Sequence, residues 1–179
     1  VHKSIGLSKK TRYVEGLCNF LKTQKNLKCL NLCLEDFFHE NEINYLFGVL
    51  SKLTNLRNLN FSVSSKMEGD TSFSNWNPDL AKSLRRLLKL EKFKMRFDIE
   101  NSGRNPWFAN MLRELLNLPS LKEVFLQIGE ESLQNAKENI NILMQQLSKK
   151  IGKFTYVIVS YPDEDDDEDD DDDDDDEDE

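Results

Sequence analysis

Residues Leu27–Leu34 read "LKCLNLCL". Apolar residues stand at positions 1, 4, 6 and 8 of this octet. The last three alternate with polar or small residues, as a strand with one buried face requires. The same frame returns as "LRNLNFSV" from Leu56, "LEKFKMRF" from Leu90, "LKEVFLQI" from Leu121 and "IGKFTYVI" from Ile151. Successive starts lie 29, 34, 31 and 30 residues apart. A strand that recurs at such an interval marks an internal repeat.

Between the octets the apolar period changes from two to that of a helix. Ile43, Leu46, Phe47, Leu50 and Leu53 form one stripe, and Leu80, Leu84, Leu87 and Leu88 the next. Phe108, Met111, Leu115 and Leu118 follow, then Leu133, Ala136, Ile140, Leu143 and Leu147. Spacings of three, four and seven put each set on one helix face. Asn77-Pro78 and Asn105-Pro106 place Asn at an N-cap and Pro at the first helical position, and Ser132 can cap the last helix. Upstream, Val14, Leu17, Cys18 and Leu21 look like the helix of an earlier unit whose strand is "KSIGL". The expected fold is α/β, a solenoid of about five strand–helix units with parallel strands on the inside and helices outside.

The frame L-x-x-L-x-L followed by a helix resembles a leucine-rich repeat, and the unit length resembles the ribonuclease-inhibitor-like subtype. The resemblance covers nearly all of residues 5–160. It implies a concave parallel sheet and a convex layer of helices. Position 9, where that subtype carries Asn or Cys, reads Glu35, Ser64, Asp98, Gly129 and Val159 here. The repeats are therefore degenerate, and a generic α/β domain with non-repeating strands is the alternative. "SSKMEGDTSFSNWNP" and "DIENSGRNP" exceed the repeat. Trp76 and Trp107 stand at the helix entries after them, where each would pack as a staple on its own helix.

The domain division follows from charge. Every residue from Asp163 to Glu179 is Asp or Glu, 17 in all. The whole chain has 24 basic and 33 acidic residues, a net of −9; residues 1–162 have 24 and 16, a net of +8. A like-charge block of that length repels itself and buries nothing, so 163–179 is expected to be a disordered arm behind a basic domain at 1–162. That domain is large enough for one real core. No apolar run reaches the roughly 18–20 residues that span a bilayer, and "VHKSIGLSKK" has no apolar leader core. The chain starts without Met, so it reads as processed or truncated. Cys18, Cys29 and Cys33 form no disulfide framework, which favours a reducing compartment, cytoplasm or nucleus.

Catalysis finds no candidates. There is no phosphate-binding glycine loop, no H-E-x-x-H and no G-x-S-x-G. His39 in "EDFFHENE" reads as a solvated turn residue. Cys29 and Cys33 share a strand face at roughly 13 Å, too far apart for one zinc ion. The tail has no Gly and no turn for a defined calcium site. No enzyme activity, metal or cofactor is expected.

Positions 2, 3, 5 and 7 of the frame would face the concave side. They collect Arg57, Lys92, Lys94, Arg96, Lys122 and Lys153 around one aromatic, Phe125. Such a field favours an acidic protein partner, with Phe125 as a hot spot; a merely solvated face is the alternative. Val157 and Val159 are apolar at outward positions, so the last strand is covered or is an edge awaiting a partner. The leading functional reading is a non-enzymatic interaction scaffold with a solubilising or self-screening tail. The second is a nuclear protein whose tail binds histones or other basic chains, similar in architecture to the acidic leucine-rich nuclear phosphoproteins. Membrane and nucleic-acid binding are disfavoured, since the tail competes with phosphates for the same cations. Ser160, with an acid three residues on, fits an acid-directed kinase or an unmodified strand end.

Overall fold

In the computed structural model the described residues form six strands and five helices that alternate along the chain. The structure describes residues 2–8, 12–35, 40–65, 80–99, 107–129 and 137–159. The strands are β1 (His2–Ser8), β2 (Cys29–Glu35), β3 (Asn58–Ser65), β4 (Lys92–Ile99), β5 (Glu123–Gly129) and β6 (Lys153–Val159). The helices are α1 (Arg12–Thr23), α2 (Glu40–Leu50), α3 (Leu80–Leu84), α4 (Trp107–Asn117) and α5 (Lys137–Lys150). The early unit expected around "KSIGL" is present as β1 and α1.

All six strands pair in parallel and in chain order. Each octet aligns with the next without slip: Leu30, Leu59, Phe93, Val124 and Phe154 share one register row. Parallel neighbours need a crossover, and here each crossover contains a helix. One face of the sheet is apolar at every frame position from β2 to β5. Leu30, Leu32, Leu34, Leu59, Phe61, Val63, Phe93, Met95, Phe97, Val124, Leu126 and Ile128 are all buried. The helices' stripes, including Leu46, Phe47, Leu50, Met111, Leu115, Leu143 and Leu147, meet that face in one continuous core. Phe47 of α2 lies 5.2 Å from Phe61 of β3, rings tilted by 58°. Burying a side chain of this size stabilises by about 2–3 kcal/mol relative to leaving it in water.

Position 1 of the frame is also buried throughout, at Leu27, Leu56, Leu90, Leu121 and Ile151. It closes the turn from helix to strand. Leu27 N donates to Gln24 O at 3.0 Å, Leu56 N to Leu53 O at 2.9 Å and Leu90 N to Leu87 O at 2.9 Å. The frame leucine is therefore a turn residue with its side chain anchored inward.

Two expectations need correction. The stripe Leu80–Leu88 was read as one helix face, but α3 ends at Leu84 and Leu88 is exposed. After Leu84 the chain tightens: Arg86 N donates to Ser83 O and Leu87 N to Leu84 O, a three-residue step that turns Leu88 outward. The frame also places Phe154, Tyr156 and Ile158 of β6 in the core. Phe154 is half-buried, while Tyr156 and Ile158 are 51% and 47% exposed. Phe154 still packs against the core, but no helix follows β6 among the described residues to cover Tyr156 and Ile158.

The proposed capping pairs Asn77-Pro78 and Asn105-Pro106, and Ser132, His39, Trp76, Ser160 and the acidic run 163–179, lie outside the described residues. The side chains of Trp107 and of Glu35, Ser64 and Asp98 lie outside them too. Among the described residues no helix is long and apolar enough to cross a membrane.

Candidate functional site

With the helices on one side, the opposite face of the sheet is open, and β4 crosses its middle. Lys92, Lys94 and Arg96 alternate with buried Phe93, Met95 and Phe97, so all three project from that face. The register puts Asn58, Lys92, Glu123 and Lys153 in one row. The next row holds Asn60, Lys94, Phe125 and Thr155, and the third Ser62, Arg96, Gln127 and Val157. Just before the strands, Arg57, Glu91 and Lys122 extend the same ladder. Glu91 N donates to Arg57 O at 2.7 Å, and Lys122 N to Glu91 O at 2.8 Å. Arg57, Lys92, Lys94, Arg96, Lys122, Phe125 and Lys153 thus lie on one contiguous surface of four adjacent strands.

Two carboxylates, which a count of charges along the sequence does not place, organise this surface. Glu91 accepts Arg57 Nη1 at 2.6 Å on one oxygen and Lys122 Nζ at 3.2 Å on the other. Glu123 accepts Lys92 Nζ at 3.0 Å and Lys153 Nζ at 3.3 Å. The hydrogen bond from Lys122, then that from Arg57, holds the Glu91 carboxyl below its ordinary range. Lys92 and then Lys153 do the same for Glu123. Each acid therefore clamps two cations, and the basic field is weaker than the column of Lys and Arg indicates.

Lys94 and Arg96 stand apart from both clamps and have no carboxylate partner among the described residues. Lys94 Nζ sits 6.0 Å from the centroid of the Phe125 ring, at the outer limit of a cation–π contact. Phe125 is half-buried rather than fully exposed. A cation beside an aromatic on a rigid strand can receive a carboxylate and an apolar group together.

The cysteines carry no chemistry of this kind. None is in a disulfide. Cys18 is buried in α1, and burial pushes its thiol up to about 11. Cys29 accepts a hydrogen bond from Asn58 Nδ2 at 3.3 Å. Among the described residues no group of His, Cys, Asp or Glu is arranged to hold a metal ion.

A second polar feature was not read from the sequence. Asn26, Lys28, Asn55, Arg57 and Lys89 line an open groove of about 420 Å³ at the edge where the strands start. Asn26, Asn55 and Lys89 all immediately precede position 1 of a frame, so the aligned octets carry the signal. No protein-family model matches the chain, and no curated protein matches it.

Proposed function

We propose that residues 1–162 form a leucine-rich-repeat solenoid of the ribonuclease-inhibitor-like kind. We further propose that it binds a protein partner, without catalysis, through the exposed sheet face. What supports the repeat reading is the coincidence of chain order and strand order, with a slip-free register at intervals of about 30 residues. The single observation behind the binding reading is the placement of unclamped Lys94 beside the Phe125 ring on the next strand, with Arg96 on the same face of β4. That combination suits an acidic segment carrying an apolar side chain.

The test is capture of partners from a cell extract by the full chain and by the full chain with Lys94→Glu and Arg96→Glu. Loss of the captured acidic protein with an unchanged circular dichroism spectrum supports the reading; undiminished capture removes it. Histones captured only when 163–179 is intact favour the second reading, in which the tail is the binding element.

A further inference from the structure

The fold sorts charge by edge. In a parallel sheet with antiparallel crossover helices, every helix C-terminus lies at the edge where strands start. The segments that join helix to strand there, 24–28, 51–57, 85–91 and 118–122, hold eight Lys or Arg and one acid. Part of this excess is explained locally, because cations offset the partial negative charge of helix C-termini. Lys150, at the end of α5 and outside these segments, shows the effect: it donates to the carbonyl oxygens of Leu116 and, at 3.0 Å, of Leu118. The groove is different. The Lys28 ammonium has no carboxylate partner among the described residues, and Lys89 is held over the groove by Asn55 Oδ1 at 2.8 Å, a neutral acceptor. Asn55 is itself fixed through Nδ2 to Lys25 O at 3.0 Å. Arg57 spends one nitrogen on Glu91. The lining contains three cations, two amides and no carboxylate.

We propose that this groove holds carboxylates of the chain's own C-terminal run, residues 163–179. Its lining supplies charged and neutral donors and lacks an acid, which is the complement of an Asp/Glu chain. The run contains no other side chain from Asp163 onward, so any stretch of it can occupy the groove without register. Reach is ample. From the end of β6 to the start of β3 the path crosses three strand spacings and about seven residues of strand, roughly 27 Å in all. Residues 160–179 extend to about 65–70 Å. The straight path crosses β5 near Gln127 and β4 near Lys94, so the run would lie over the exposed face on its way. The groove itself shares only Arg57 with the partner reading of that face, and the run's path to it passes over Lys94.

The test is the amide NMR spectrum of the full chain against a full-length variant in which every Asp from Asp163 to Asp178 is replaced by Asn and every Glu from Glu164 to Glu179 by Gln. The expected result is a change confined to Asn26, Lys28, Asn55, Arg57, Lys89 and the strand residues on the path. It should be reproduced in the wild-type chain at about 1 M salt, where the screening length falls to about 3 Å. In the full chain with Lys28→Glu and Lys89→Glu, the same neutralisation should shift the groove amides far less. Unchanged groove amides on neutralising the run overturn the proposal. So do changes that scale with protein concentration, which would place one copy's run on another copy.

Discussion

Ile128 and Ile158 are register partners on β5 and β6, yet Ile128 is 2% exposed and Ile158 is 47% exposed. The residue type and the frame position are the same. The surroundings differ: Ile128 pairs on both sides and lies in one core with the stripes of α4 and α5, whereas among the described residues β6 pairs on one side and no helix follows it. Ile128→Ala should cost about 2–4 kcal/mol, because it removes buried methylenes and leaves a cavity. Ile158→Ala should cost well under about 1 kcal/mol, since exposed substitutions rarely matter more. Urea denaturation of the two variants measures both.

Glu91 holds Arg57 and Lys122 together. Glu91→Gln removes the charge, keeps the shape and leaves two cations on the open face. Affinity for an acidic peptide such as oligo-glutamate at low salt should rise several-fold, with little change in thermal midpoint. Fluorescence anisotropy of a labelled peptide reads this directly, and a fall in affinity would contradict an acid-binding face.

Both Glu91 and Glu123 have carboxyl groups held low in the folded chain. Their contribution to stability is fully present above the unfolded value, about 4.3, and is lost as pH falls through the lower folded value. The urea midpoint should therefore drop between about pH 5 and pH 3 more steeply in the wild-type chain than in the Glu91→Gln, Glu123→Gln double variant. Salt at about 0.5 M should narrow the difference, because these pairs are solvent-exposed.

Burial raises the Cys18 thiol to about 11, so it is protonated at neutral pH and shielded. Cys29 and Cys33 are half-buried on the open face. An alkylating reagent at pH 7 should label Cys29 and Cys33 in the folded chain and reach Cys18 only after denaturation. Mass spectrometry of the digested protein gives the order, and early labelling of Cys18 would mean that α1 opens readily.

Much of this architecture was legible in residue spacing. Alternation at positions 4, 6 and 8 signals a buried strand face without knowledge of the neighbour, and it held for β2 to β5. It failed at β6 because periodicity reports what a strand could bury, while burial also needs a covering layer. Leu88 failed for a local reason, since helical spacing continued past the turn that ends α3. Lys92, Lys94, Arg96, Phe125 and Lys153, at frame positions 3, 5 and 7, followed from the same alternation, while Arg57 and Lys122, at position 2, followed from what the repeat resemblance implies. The clamps needed one further step: once the octets are aligned, Glu91 falls between Arg57 and Lys122 at frame position 2. The groove was harder to see, because it is built from residues just outside the frame.

The one-after-another strand order also bears on how the molecule comes apart. Each strand pairs only with its chain neighbours, and the helices touch in the same succession. A fluctuation at one end can then open a strand and its helix without disturbing the far end, because coupling runs between chain neighbours. β6 has one paired edge and little cover, so its amides should exchange with solvent soonest, with protection rising toward β3 and β4. The segment that precedes the acidic run would thus be the loosest part of the sheet, a hinge set where the charge changes sign.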